Sequence, residues 1–169
     1  MNMRISEAFE TLYSESLAFS RKWKITSEEV SALHNMGEVY LRRGQLLSAE
    51  ENFKAAQNIY RRINDRIGET GTQFGIANIY NRSGRYADAL KIYYQVLGIF
   101  QRSKEKEYEA YVLDSIASVY YSTGRYETAL GPLRESLALF QELQDKNRQA
   151  AALNNFGIRS CLRIYADVR

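Results

Sequence analysis

Residues 76–84 read IANIYNRSG, and two other stretches follow the same pattern at a spacing of 40 residues: MGEVYLRRG at 36–44 and IASVYYSTG at 116–124. Each stretch begins with an apolar and a small residue, has tyrosine at its fifth position and ends on glycine. A second set of positions keeps the same spacing: Ala49 and Phe53, Ala89 and Tyr93, Ala129 and Leu133. A fixed period of this length indicates three copies of one structural unit.

Each copy has the periodicity of two helices. One apolar stripe occupies positions i, i+3, i+4 and i+7 of a helix, at Leu33, Met36, Gly37 and Tyr40. A second stripe follows at Ala49, Phe53, Ala56 and Tyr60. Glycine adopts the left-handed conformation that ends a helix at little cost, so we predict turns near residues 44, 84 and 124. The chain is therefore predicted to be all-α, with helix–turn–helix units.

The small, tyrosine, glycine, alanine and aromatic positions resemble those of the tetratricopeptide repeat family. The usual repeat of that family has about 34 residues, and the longer period here lengthens the helices around residues 57–72 and 97–112. Long repeats of this kind are similar to those of kinesin light chain, Pins-type polarity adaptors and many bacterial regulators. The resemblance implies a right-handed superhelical solenoid, and it indicates fold more specifically than partner.

The repeat pattern predicts one domain over residues 1–169 with incomplete ends. The expected elements are an orphan helix at about 5–22, repeats at about 27–64, 67–104 and 107–144, and a last helix at about 149–164. The end helices of a solenoid expose an apolar face unless they are capped. The chain is thus expected to be a fragment of a longer array or to associate through its ends. Head-to-tail and two-fold pairing both remain open, with contacts at Phe9, Leu12, Phe156 or Leu162.

Pro132 is the single proline and lies inside the predicted second helix of the third repeat. Proline lacks the backbone donor and clashes with the preceding turn, at a cost of about 3 kcal/mol. We therefore expect the first turns of that helix to be bent or broken.

Composition excludes several classes of protein. No stretch of about 18 uncharged apolar residues is present, so no membrane span is expected. The one cysteine, Cys161, cannot form an internal disulfide, and a reducing, cytoplasmic location is expected. A net charge of +3 does not demand nucleic acid as a partner.

Catalytic chemistry has few residues to use. His34 is the only histidine, and Cys161 has no CxxC companion. No nucleophile elbow or phosphate-binding glycine loop accompanies them. The sequence predicts no catalytic residue, no metal site and no cofactor, so the protein is not expected to be an enzyme.

The resemblance implies that the first helix of each pair lines a concave groove that binds a peptide or helix. The expected binding residues are His34, Glu38, Arg42, Phe74, Asn78, Asn81, Arg82, Tyr111, Asp114 and Tyr121. Leu41 and Gly75 are also expected to face the groove on these first helices. Asparagine and arginine can hold the backbone and carboxylates of an extended peptide, and aromatic rings are frequent anchors.

Some relatives in this family grip chaperone C-termini through two lysines, an arginine and two asparagines on successive first helices. At those places this chain has His34, Glu38, Gly75, Tyr111 and Ser115. Binding of chaperone tails is therefore not expected.

Three functions remain open from the sequence. The favoured one is a non-catalytic scaffold or adaptor that binds a partner protein. The second is a regulatory sensor module that binds a peptide signal. The third is an RNA-binding helical repeat, suggested by a basic edge of Arg42, Arg82, Arg85 and Arg125. The absence of a basic run or a stacking platform beside that edge argues against nucleic acid.

Overall fold

The computed structural model describes residues 10–16, residue 18 and residues 26–155. Within them, seven helices follow a helical stretch at residues 10–16. Their bounds are α1 (Thr26–Arg42), α2 (Leu46–Arg62), α3 (Arg66–Arg82), α4 (Tyr86–Ser103), α5 (Lys106–Ser122), α6 (Tyr126–Glu142) and α7 (Lys146–Asn155). The described residues contain no β-strand, and the predicted all-α helical-repeat fold is confirmed.

The turns recur twice as often as the sequence motif. The predicted turn glycines Gly44, Gly84 and Gly124 have φ of 77°, 76° and 74°, which confirms their role. Twenty residues after each of these glycines, the chain again adopts the left-handed conformation, at Asn64, Lys104 and Gln144, with φ of 58°, 60° and 58°. A residue without glycine's freedom therefore closes each second helix.

All six turns use one hydrogen-bond pattern. In the first, the amide of Gln45 donates to the carbonyl of Tyr40 at 2.9 Å, and the amide of Gly44 donates to the carbonyl of Leu41 at 3.0 Å. This Schellman arrangement satisfies carbonyls that the helix end would leave without a partner. In every turn, the carbonyl that accepts from the amide five residues further along the chain belongs to an aromatic residue: Tyr40, Tyr60, Tyr80, Phe100, Tyr120 and Phe140.

The described residues form two compact units, unit 1 up to Arg85 and unit 2 from Tyr86 onward. In unit 1, the ring of Phe53 on α2 lies between glycines of α1 and α3. A Cβ added at Gly37 would lie 2.8 Å from Phe53 Cε1, and one at Gly75 would lie 2.6 Å from Phe53 Cζ. The two glycines therefore make room for a fully buried aromatic ring, and α1, α2 and α3 pack around it.

In unit 2, helices α5 and α6 pack through small and branched residues. Ala117, Ala129 and Leu133 form a buried cluster that also includes Ala152 of α7. Tyr93 and Phe100 of α4 and Phe140 of α6 are almost fully buried. Burial of large apolar side chains is worth about 1.5–3 kcal/mol each, so this packing holds the three longest helices of the unit.

Pro132 does not break its helix, so the prediction of a break there is wrong. Helix α6 runs from Tyr126 to Glu142 with Pro132 inside it. The turns on both sides bury Ala129, Leu133 and Phe140, and their burial outweighs the roughly 3 kcal/mol that proline costs in a helix.

The predicted ends lie largely outside the described residues. Phe9, Phe156 and Leu162 fall there, whereas Leu12 is described and is 58% exposed. In the described N-terminal stretch, Glu10 accepts hydrogen bonds from the Tyr40 hydroxyl, at 3.0 Å, and from Arg43. Helix α7 begins at Lys146, where Asp145 caps it by accepting from the amide of Arg148 at 2.9 Å.

Candidate functional site

The predicted binding residues fall on first helices in both units. Seven of them lie on α1 and α3, and we call this set the first-helix surface of unit 1: His34, Glu38, Arg42, Phe74, Asn78, Asn81 and Arg82. Arg42 and Arg82 are exposed, and the other five are half-buried. The remaining three, Tyr111, Asp114 and Tyr121, lie half-buried on α5. Together with α7 they form the first-helix surface of unit 2.

Two residues at the same register belong to the core instead. Leu41 is 5% exposed and packs with Ala49, Phe53 and Ile79. Gly75 is buried against Phe53. A helix has about 3.6 residues per turn, so positions that lie close to Asn78 in the sequence do not all lie on the same face of the helix.

His34 is held against the core of unit 1. Its ring meets that of Phe53 edge-on, with centroids 5.5 Å apart and planes at 72°. A Cβ at Gly71 of α3 would lie 3.7 Å from His34 Cε1, so the imidazole fills space beside a helix that has no side chain there. Its Nδ1 is buried and has no hydrogen-bond partner among the described residues. Burial lowers the pKa of His34, which favours the neutral imidazole.

Arg82 has a structural contact that the sequence did not suggest. Its Nη1 donates to the carbonyl of Leu41 at the end of α1. A cation at a helix C-terminus is favoured by the helix dipole. Arg82 thus ties the last turn of α3 to the last turn of α1.

On the first-helix surface of unit 2, Tyr111 is surrounded by charge. Its hydroxyl donates to Glu107 Oε1 at 2.7 Å, and the guanidinium of Arg148 on α7 lies 4.6 Å from its ring centroid. Phe140 lies 5.6 Å from it, centroid to centroid. Burial raises the pKa of Tyr111, and the hydrogen bond to Glu107 adds to that effect while Arg148 opposes it. The ring is therefore fixed on one face by a cation.

Asp114 follows Tyr111 by one helical turn. Its Oδ1 is buried and accepts no hydrogen bond from any described residue. Burial raises the pKa of Asp114 to about 6, with Arg148 acting in the opposite direction. A carboxylate with an unpaired buried oxygen is costly to keep charged.

Tyr121 belongs to a group of tyrosines in unit 2. Its ring meets that of Tyr126 at 5.1 Å in an edge arrangement, and Tyr126 is 56% exposed. Nearby, the hydroxyls of Tyr94 and Tyr120 lie 2.9 Å apart. Tyr94 and Tyr126 were missed because they lie on second helices, which the repeat pattern assigns to packing. Their only sequence signal is that tyrosine is unusually abundant, at 13 residues.

The arginines of the expected basic edge are used within the chain. The guanidinium of Arg85 lies 4.0 Å from the ring centroid of Tyr80, and that of Arg125 lies 5.2 Å from Tyr120. Cation–π contacts of this kind stabilise a turn by about 0.5–1 kcal/mol at exposed sites. With Arg82 held by Leu41, three of the four arginines have partners in their own unit, which argues against an RNA-binding edge.

Within the described residues, no group of three or more His, Cys, Asp or Glu side chains is placed to hold a metal ion. No helix among those residues has both the length and the apolar character needed to cross a membrane.

Family models described as Tetratricopeptide repeat match two stretches of the chain, residues 30–64 and 69–142. No protein of curated function matches it.

Several crystal structures share the fold. BtubC (BKLC) from P. vanneervenii is 19% identical, with a TM-score of 0.72 over 96% of this chain and 74% of that one. A Podosopora anserina protein described as a 'putative kinesin light chain' with nearly identical TPR-like repeats is 17% identical, with a TM-score of 0.63 over 99% of this chain and 90% of that one. A second crystal structure of that protein, of a substituted form, is 18% identical, with the same TM-score over 98% and 79%. At these identities the likeness shows the fold alone.

Proposed function

Because this chain belongs to the tetratricopeptide repeat family, we propose that it is a non-catalytic adaptor that binds a peptide or helix of a partner protein on its first-helix surfaces. Repeats of this family generally mediate protein–protein interaction. The observation that supports the proposal is the character of these surfaces: amide, aromatic and charged side chains lie half-buried on first helices, among them Phe74, Asn78 and Asn81.

The side chains of the first-helix surface of unit 1 suit recognition of a peptide backbone. Asn78 and Asn81 lie almost one turn apart on α3, and each amide can donate and accept hydrogen bonds. Phe74 lies one turn before Asn78 and is half-buried, so its ring offers a rigid apolar contact at low entropic cost. A peptide lying along α3 would meet both kinds of group.

The test is a comparison of partner recovery between paired variants of unit 1. The first variant is Asn78→Ala with Asn81→Ala. Arg82 is left intact because its contact with the Leu41 carbonyl would mix loss of stability with loss of binding. The matched control is Gln57→Ala with Asn58→Ala on α2, which removes two amides from a second helix.

Each tagged chain is used to isolate partners from cells of its source, and the partners are quantified by mass spectrometry. We expect the α3 variant to lose its partners and the α2 control to keep them, with equal helical circular dichroism. Retention of all partners by the α3 variant, with loss in the control, would place binding on the second helices and contradict the proposal.

A further inference from the structure

His34 is the only histidine of the chain, and its imidazole packs against neighbouring helices of unit 1. The ring meets that of Phe53 on α2 edge-on, with centroids 5.5 Å apart. A Cβ at Gly71 on α3 would lie 3.7 Å from His34 Cε1. The Nδ1 atom is buried and has no hydrogen-bond partner among the described residues. A titratable ring on α1 therefore takes part in the contact with both α2 and α3.

Protonation of His34 changes what this contact requires. A neutral imidazole carries one N–H, whereas the imidazolium carries an N–H on both nitrogens. The Nδ1 of the imidazolium would thus be a buried donor on a charged ring, with no acceptor in the part of the chain that the structure describes. Such a group is costly to keep away from water. Burial lowers the pKa of His34 for this reason.

The titratable groups of the three helices do not reverse this effect. One turn along the helix from each of the two contacting rings is a carboxylate, Glu38 on α1 and Glu50 on α2. Glu50 pairs with Lys54 at 2.6 Å. The residues one turn from Gly71 on α3 are apolar or glycine. Burial is the cause of the lowered pKa of His34, with no carboxylate acting against it among the described residues.

We propose that His34 makes unit 1 sensitive to acid, so that protonation of its imidazole loosens α1 from α2 and α3. Because the pKa of His34 is lowered from 6.5 on folding, the unfolded chain binds the proton more tightly than the folded chain does. The stability that the neutral ring contributes is complete above pH 6.5 and is lost as pH falls below that value. Histidine is the side chain whose ordinary pKa allows such a response close to neutral pH.

Unit 2 has a carboxyl group at the same position of the repeat. Asp114 follows His34 by two repeat lengths, and its Oδ1 is also buried without a hydrogen bond from any described residue. A carboxylate loses its charge when it binds a proton, whereas an imidazole gains one. Acid therefore relieves the cost of burial at Asp114 and increases it at His34. The two units should respond to acid with opposite signs, so unit 2 is an internal comparison for unit 1.

The test is hydrogen exchange of the full chain at about pH 7.5 and about pH 5.5, on either side of the ordinary histidine pKa. Protection factors, which are corrected for the intrinsic effect of pH on exchange, are compared helix by helix. We expect α1, α2 and α3 to lose protection at the acid pH and α5 and α6 to keep or gain it. Because no second imidazole is present, NMR follows the Cε1 proton of His34 directly. A measured pKa of 6.5 or higher would overturn the proposal.

Three variants identify the group that titrates. His34→Gln keeps a neutral side chain that can donate and accept hydrogen bonds, and it should remove the loss of protection in unit 1. Glu38→Gln and Asp114→Asn are the matched controls, and both should keep that loss. A loss of protection that persists in His34→Gln would overturn the proposal. If this variant does not fold, the NMR titration of the wild-type chain decides.

The acid response also bears on partner binding, and this consequence rests on the proposed function. The wild-type chain should release at the acid pH the partners that it holds at neutral pH, whereas His34→Gln should recover equal amounts at both. If α1 to α3 loosen but no partner is held at either pH, the adaptor function fails and the acid response stands. If partners are held and α1 to α3 keep their protection in acid, the adaptor function stands and the role of His34 is overturned.

Discussion

The ring of Phe53 occupies the space that a side chain at residue 75 would need, since a Cβ on Gly75 would lie 2.6 Å from Phe53 Cζ. Gly37 bounds the ring on the other helix, where a Cβ would lie 2.8 Å from Phe53 Cε1. The ring cannot move away from one glycine without approaching the other. Helices α1, α2 and α3 are therefore held together by a contact that requires two residues without side chains.

Gly75→Ala is expected to lower the free energy of unfolding by about 1–3 kcal/mol, because overpacking outweighs the helix propensity gained by alanine. Gly98→Ala in α4 is the control, since the nearest atom to its Cβ is Arg102 Nη1 at 3.5 Å. That control should gain up to about 1 kcal/mol. Urea denaturation measures the free energy of unfolding of both variants. Equal stabilities would contradict the close packing of the Phe53 ring against Gly75.

The left-handed turns give a prediction with opposite signs. Gly124→Ala should lose about 1–2 kcal/mol, because φ there is 74° and a Cβ is strained in that region. Lys104→Gly relieves the same strain at φ 60°, which stabilises the folded chain, but it also adds entropy to the unfolded chain, which opposes that gain. The free energy of unfolding should therefore stay unchanged or rise by up to about 1 kcal/mol. Thermal unfolding compares them, and a loss of stability in Lys104→Gly would contradict this account.

Asp114 predicts a pH dependence of stability. Its pKa rises from 3.8 to about 6 on folding, so the folded chain binds the proton more tightly than the unfolded chain does. The free energy of unfolding should therefore fall as pH rises from about 4 to about 6, and stay lower above that window. The full effect of two pKa units is about 3 kcal/mol.

Asp114→Asn should remove this fall and raise stability near neutral pH by up to about 3 kcal/mol. Asp88→Asn, on the exposed side of α4, should keep the wild-type profile. The measurement is denaturant unfolding at a series of pH values. An Asp114→Asn profile with the wild-type slope would show that another group titrates.

Pro132→Ala should stabilise the chain by up to about 3 kcal/mol, because it restores a backbone donor inside α6 and removes a clash with the preceding turn. Gly131→Ala controls for helix propensity at the adjacent position, where a Cβ meets nothing within 4 Å. Hydrogen exchange should show slower exchange in the first half of α6 for Pro132→Ala alone. Unchanged stability in Pro132→Ala would contradict this prediction, because it would mean that the helix accommodates the proline ring without cost.

Self-association through the ends stays a prediction. It is motivated by Leu12, which is 58% exposed, because exposed apolar side chains can join contacts between chains when they form a patch. Light scattering over a range of concentrations should show a mass above that of one chain, and Leu12→Glu should reduce it. A constant monomer mass for the wild type would contradict end-to-end pairing.

Individual residues show how far sequence reasoning reaches. The 40-residue spacing predicted the helices and the glycine turns, because periodicity and turn conformation are local properties. It did not reveal that Asn64, Lys104 and Gln144 close the other turns, since side chains that rarely adopt positive φ give no signal. It assigned Arg82 to binding, and the structure adds a contact with the Leu41 carbonyl 41 residues away.

The sequence by itself determined the fold class, since amphipathic stripes and turn residues specify each helix and its end within a few neighbouring residues. Only the tertiary structure decided which polar residues of the first helices have atoms buried away from water. Asp114 and His34 look like ordinary polar positions in the sequence, whereas in the structure each has one polar atom shielded from water, and the His34 ring meets that of Phe53. Desolvation depends on atoms distant in the chain, so a buried carboxylate oxygen without a hydrogen bond becomes visible only once the helices are assembled.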